Sequence, residues 1–264
     1  MNNSINQYIF GDQERIFLNT NLGCASQCSY CYLPDLDIDI NTKVTKKINL
    51  DILIRELKNN IDFRLGKNGT IISIGCYSEC WDTYNIQDTI KLLTQIIPMG
   101  NPIQLATKCE IKLNDIEPIL KSLLWSHQLS IYISTTTISH WKEYENKTTN
   151  PNNRFRSFGI TSKYNIPMYL YIKPILPRIT IKDSSQYSII LKKYDINVIL
   201  GDMFTTNTSN VKYAPIGENK LFYDALNNID IKEYQLLYNT LRKYSTVFSK
   251  SIEPILEHRK KNNG

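Results

Sequence analysis

Short apolar runs recur along this chain, each separated from the next by a segment of helical periodicity. That alternation restricts the fold more than any other feature. Arg15–Thr20, Thr70–Gly75, Pro102–Thr107, Leu129–Ser134, Pro167–Ile172 and Ile196–Leu200 read as strands. Leu50, Leu53, Ile54, Leu57 and Ile61 share one face of a helix expected from Asn49 to about Leu65, broken by Lys67-Asn68-Gly69. Ile86, Ile90, Leu93 and Ile97 mark a second helix over 86–97, stopped by Pro98. Further helices are expected near 114–124, 154–164 and 184–193, with a polar stretch over 140–153. Strands that alternate with helices pair in parallel through right-handed crossovers. Six such units give an α/β fold: a partial (β/α)6 TIM-type barrel with parallel strands and a C-terminal extension. Residues 1–200 are expected to form the barrel, and 201–264 an extension packed on it, with a helix near 231–246 and a frayed tail from His258.

Composition narrows the setting. At 264 residues and 42% hydrophobic, the chain has the material for one large core. It has no apolar stretch of about 18 residues, so no membrane span is expected. The start, Met1 to Gln7, shows neither the charge nor the apolar centre of a signal peptide. Six cysteines without an export signal point to a reducing, cytoplasmic setting rather than to disulfides. A net charge of +6 tilts mildly toward a polyanionic or phosphate-bearing partner, a solvated surface being the plainer reading.

The chemistry concentrates in one loop, Gly23-Cys24-Ala25-Ser26-Gln27-Cys28-Ser29-Tyr30-Cys31-Tyr32-Leu33-Pro34. The spacing is Cys-x3-Cys-x2-Cys, directly after the first strand. Four-cysteine loops make closed electron-carrying or zinc sites, whereas three thiolates can hold an iron–sulfur cube with one iron left open. A zinc knuckle with a distant fourth ligand is the alternative. The loop at 24–31 is expected at the carboxyl end of a strand, where α/β barrels place their chemistry.

The loop resembles that of the radical S-adenosylmethionine (radical SAM) superfamily, with Tyr30 at the aromatic position before the third cysteine. Asn49-Leu50-Asp51, Ile74-Gly75-Cys76-Tyr77-Ser78-Glu79, Ala106-Thr107-Lys108-Cys109-Glu110, Tyr132-Ile133-Ser134, Glu145 and Arg154-Phe155 follow the order of the spore photoproduct lyase-like group. Ile166 to Pro177 is similar to a later strand of that group. The chain departs from the pattern at Glu145-Asn146, where the group has Glu-Pro, and at Asn153-Arg154-Phe155, where it has Gly-Arg-Leu.

The resemblance implies a [4Fe-4S] cluster on Cys24, Cys28 and Cys31, and S-adenosylmethionine held by Tyr30, Ser78, Glu79, Lys108 and Ser134. It implies reductive cleavage of that cofactor to a 5′-deoxyadenosyl radical, hydrogen abstraction from a substrate, and a one-electron donor such as flavodoxin or ferredoxin. It also implies a lyase-like outcome, in which Cys76 returns a hydrogen atom and Tyr30 and Tyr32 recycle the thiyl radical. The substrate suggested is a thymine-dimer lesion, so nucleic acid or a nucleotide. A peptide, nucleoside or small metabolite is the alternative, and a non-catalytic zinc-binding module is the alternative of another class.

Other residues read more plainly. Cys80 and Cys109 are buried free thiols or, with Cys76, ligands of a second cluster. His127, His140 and His258 show no metal spacing, and Arg154, Arg156 and Lys163 read as a solvated basic helix face whose start could meet phosphate.

Overall fold

The computed structural model describes residues 5–36, 38, 40, 46–203 and 228–262. In chain order its strands are β1 (Ile9–Gly11), β2 (Arg15–Leu18), β3 (Asn21–Leu22), β4 (Lys46–Lys47), β5 (Ile71–Ile74), β6 (Ile103–Thr107), β7 (Leu129–Ser134), β8 (Met168–Ile172), β9 (Asn197–Leu200) and β10 (Val247–Phe248). The α-helices are α1 (Leu50–Asn59), α2 (Ile86–Ile96), α3 (Leu113–Lys121), α4 (Trp141–Tyr144), α5 (Pro151–Arg156), α6 (Thr161–Tyr164), α7 (Ser184–Tyr194), α8 (Asn228–Leu241) and α9 (Glu253–Asn262). One sheet runs β1-β2-β5-β6-β7-β8-β9-β10, while β3 and β4 pair separately. β1 is antiparallel to β2, and every other neighbouring pair in the large sheet is parallel. Among the described residues β1 and β10 do not pair, so the barrel is open.

The expected six strands are all present. Two short ones, β1 and β10, lengthen the sheet at its edges, the second drawn from the expected extension. The strands alternate in facing. Ile72, Ile103, Leu105, Ile131, Ile133, Leu170 and Val198 pack beneath the helices with Leu53, Leu57, Leu92 and Leu93. Tyr132, Tyr169 and Ile199 form a separate cluster on the inner face, with Phe248 against them. Burial on both faces explains why the strands read as unbroken apolar runs.

A polar belt crosses that inner face. Ser73 Oγ lies 2.7 Å from Gln104 Oε1, and Gln104 Nε2 donates to Tyr132 Oη at 2.9 Å. Gln104 and Tyr132 both donate to the Ser251 carbonyl, at 2.6 and 3.0 Å, and Arg15 donates to Ser251 Oγ at 2.9 Å. One residue of the C-terminal segment thus touches β2, β6 and β7, so the inner face curves around it.

Two local expectations are corrected. The first helix ends at Asn59 rather than near 65, because residues 60–70 fold onto Thr70, whose hydroxyl accepts from Arg64 N and donates to the Asp62 carbonyl. The tail is helical: α9 reaches Asn262, His258 stacks on His127 with ring centres 4.3 Å apart, and Arg259 donates to the Lys67 and Gly69 carbonyls.

Candidate active site

The cysteine loop leaves β3 and is tied to the turn after β5 and to α4. Gly23 N donates to the Tyr77 carbonyl at 3.1 Å, and Ser29 N to the Tyr144 carbonyl at 3.0 Å. Asn19 Oδ1 accepts from Tyr77 N at 2.9 Å. These bonds hold Cys24, Cys28 and Cys31 above the carboxyl ends of β5 and β7. All three are free thiols; Cys28 is buried and the other two are half-buried. Burial pushes the Cys24 and Cys28 thiols up, the Lys108 charge draws Cys28 down, and Cys24 and Cys31 add to the rise at Cys28, so the three lie within electrostatic reach of one another. Among the described residues no three His, Cys, Asp or Glu side chains close on a single ion. A mononuclear zinc site would need its ligands about 2.3 Å from one centre, whereas a cube distributes its irons and spaces its thiolates farther apart. Three thiols in one loop are the soft donor set that an iron–sulfur cluster takes.

Gly75 makes the next turn possible. Its φ is +92°, and a Cβ there would stand 2.4 Å from the Ala106 carbonyl oxygen. The chain then bends over β6 and delivers Cys76, Ser78 and Glu79 to the rim. Ser78 and Glu79 are buried. Glu79 accepts from the Thr107 hydroxyl, from Lys108 N at 2.8 Å and from Trp81 N at 3.2 Å, all uncharged donors. The Lys108 ammonium lies elsewhere, 2.8 Å from Ser134 Oγ and 3.7 Å from Glu145 Oε1. Glu79 is therefore hydrogen-bonded yet in no ion pair among the described residues.

Glu145 anchors the other side. Both it and Arg154 are fully buried, with Arg154 Nη1 donating to Glu145 Oε2 at 2.8 Å and to the Ser134 carbonyl at 2.8 Å. The Tyr30 hydroxyl donates to Glu145, and Thr136 Oγ1 donates to Tyr30 Oη at 2.9 Å. Burial alone would raise the Glu145 carboxyl and lower the Lys108 ammonium. Their neighbours reverse both shifts: Arg154 and Lys108 hold Glu145 low, while Glu145 and Cys28 hold Lys108 high. Arg154 is thus a buried partner of Glu145, not part of a solvated basic face. Asp183 was also missed from sequence. It is buried and closes the turn after β7, accepting from Thr137 Oγ1 and Ile138 N, both at 2.6 Å.

Cys76 and Tyr32 meet at the same rim. The Tyr32 hydroxyl donates to the Cys76 carbonyl at 3.1 Å and lies 3.4 Å from Cys76 Sγ. Burial raises the Cys76 thiol, against opposing pulls from Tyr32, Arg15 and Lys173. Cys80 donates to the Ala106 carbonyl at 3.3 Å and is buried, as a packed thiol is. Cys109 is half-buried, its N–H donating to Thr107 Oγ1. His127 and His258 stack together away from these cysteines, at the lower end beside Trp125. His140 lies 3.6 Å from Glu143.

No family model matches the chain, and no curated protein matches it in sequence. Solved structures do. Streptococcus suis SuiB bound to S-adenosylmethionine aligns over 90% of this chain and 50% of its own, with TM-score 0.59 and 10% identity. SuiB bound to its precursor peptide SuiA gives 0.56 and 11%, over 90% of this chain and 49% of its own. A spore photoproduct lyase mutant with bound AdoMet and dinucleoside spore photoproduct gives 0.55 and 14%, over 87% and 72%. The fold is that of the radical SAM enzymes. The chain spans about half the length of SuiB. Within this radical SAM fold, the cysteine loop and the rim residues lie together at the carboxyl ends of the strands.

Proposed function

We propose that this chain is a radical SAM enzyme acting in the manner of the spore photoproduct lyase-like group. One observation carries the reading: in a radical SAM fold, a three-thiol loop is fastened over a rim that offers an unpaired buried carboxylate, Glu79, beside an ammonium–hydroxyl pair, Lys108 and Ser134. Cys24, Cys28 and Cys31 would hold a [4Fe-4S] cluster, and Tyr30, Ser78, Glu79, Lys108 and Ser134 would hold S-adenosylmethionine. When bound, that pair supplies a one-electron cleavage yielding a 5′-deoxyadenosyl radical, which takes a hydrogen atom from the substrate.

The chain's own residues position and protect. Glu79, in no ion pair among the described residues, would accept from an ammonium, and Lys108 and Ser134 would donate to a carboxylate. Glu145 and Arg154 fix Lys108 and Tyr30 in place. Cys76 keeps its proton because burial raises its thiol, so it retains an S–H bond to give. Tyr32, whose hydroxyl lies 3.4 Å from that sulfur, would exchange a hydrogen atom with it.

The substrate by this reading is a nucleotide lesion opened by carbon–carbon cleavage. A peptide substrate is the second reading, supported by the likeness to SuiB with its precursor peptide. Six free thiols suit a reducing, cytosolic setting, and no described helix is long and apolar enough to cross a membrane. A flavodoxin or ferredoxin would supply the electron, and 201–264 would serve as an extension of the barrel. Equilibrium binding of S-adenosylmethionine to the reconstituted protein tests the rim. Glu79→Gln should weaken binding roughly tenfold or more with iron content unchanged; unaltered affinity would remove Glu79 from the cofactor site.

A further inference from the structure

The inner face carries cations that the cofactor reading does not use. Along β2 and β5–β9 the inner-facing positions include no carboxylate. Of the cations there, Lys108 is paired with Glu145, and Arg15 lies 4.5 Å over the Phe17 ring with Ser251 as its hydrogen-bond partner. Lys173 differs. It directly follows β8, inner-facing by alternation after Tyr169 and Tyr171, and it is exposed and in no ion pair among the described residues.

Its stem has a prepared course. Ile172 is in register with Leu200, which places Lys173 beside Gly201. A Cβ at Gly201 would fall 2.8–2.9 Å from Cβ, Cγ and Cδ of Lys173, so only glycine leaves the stem that path. Thr136 Oγ1 lies 3.3 Å from the Lys173 carbonyl and 2.9 Å from Tyr30 Oη, which sets Lys173 at the same rim as the cysteine loop.

We propose that Lys173 anchors an anionic group of the substrate, a phosphate or a carboxylate, at the carboxyl end of β8. An ammonium is a point-charge binder suited to either group. Aromatic Tyr171 and Phe17 on the same face give the uncharged part of such a molecule a surface to lie on. The proposal rests on the radical SAM reading only in taking the inner face as the substrate chamber; the anchoring itself requires no cluster.

Ligand-observed NMR on the full chain, without reconstitution, tests it with inorganic phosphate and acetate as separate probes. The wild type should bind at least one of them, and which one distinguishes phosphate from carboxylate. Lys173→Gln should weaken that binding roughly tenfold, and Lys173→Arg should retain most of it. Gly201→Ala, which keeps the charge and crowds the stem, should weaken binding severalfold. Circular dichroism melts of each variant separate lost binding from lost folding. Equal binding by the wild type and Lys173→Gln, or no binding of either probe by the wild type, overturns the proposal. Failure to form 5′-deoxyadenosine in a separate reconstituted assay would count against the radical reading and not against the anchor.

Discussion

Glu145 gathers Tyr30, Lys108, Thr136 and Arg154 around one buried carboxylate, so its ionisation matters to the fold as well as to the site. Its carboxyl is held below the ordinary 4.5. A carboxyl depressed in the folded state stabilises the protein above its unfolded value, and that contribution drains away as pH falls through the folded one. The urea midpoint of the wild type should therefore be level above about pH 5 and decline below about pH 4. Glu145→Gln should lose that acid limb, and an unchanged profile would show that the carboxylate is not the group being titrated. Arg154→Ala leaves a buried charge without its partner and should cost about 3–5 kcal/mol in chemical denaturation. At the opposite rim, Cys76→Ala should change the product distribution while 5′-deoxyadenosine formation continues; identical products would end its donor role. The cysteine trio was legible because thiol spacing is itself the signal. Arg154 was not, because with Arg156 and Lys163 it reads as one face of a solvated basic helix. The acid-free run after Glu145 was the available hint that this carboxylate would be drawn inward.

The strands and helices that position these groups depend on a few local devices. Asn49 caps α1, its side chain accepting from Asp51 N and Ile52 N at 2.8 and 3.2 Å. Asn49→Ala should lower stability by about 1 kcal/mol, read from a urea titration. Gly75→Ala is expected to cost more than that, because it combines a positive φ with a clash against the Ala106 carbonyl. It should also displace Cys76 and Glu79, so S-adenosylmethionine affinity should fall along with the melting temperature; a drop in melting temperature alone would mean that the turn does not position the rim. The six central strands were readable because each is long enough to show a continuous apolar run. β1 and β10 were not, since two or three residues carry no periodicity and are strands only because a neighbour offers an edge. α9 was hidden in a similar way. Its sequence, Glu253 to Asn262, is too polar to show a stripe, and its place is set by stacking on His127 and bonding to the Lys67–Gly69 loop.

Across the whole molecule the C-terminal segment closes what the first part of the chain leaves open. Ser251 receives donors from Arg15, Gln104 and Tyr132, so the inner face is satisfied by residues far away in sequence. A chain ending at Phe248 would strip Gln104, Tyr132 and Arg15 of their Ser251 acceptors, and should lose cooperative unfolding in a urea titration followed by circular dichroism. Retained cooperativity would show that the barrel stands without its extension. The proposed function turns on Cys24, Cys28 and Cys31 holding an iron–sulfur cube at which S-adenosylmethionine is cleaved. Anaerobic reconstitution followed by iron and sulfide analysis, then product analysis with reductant and S-adenosylmethionine, addresses it directly. The account predicts about four irons and four sulfides per chain, with 5′-deoxyadenosine formed by the wild type and abolished in Cys28→Ala. A single zinc in place of iron, with no 5′-deoxyadenosine from the wild type, would contradict it.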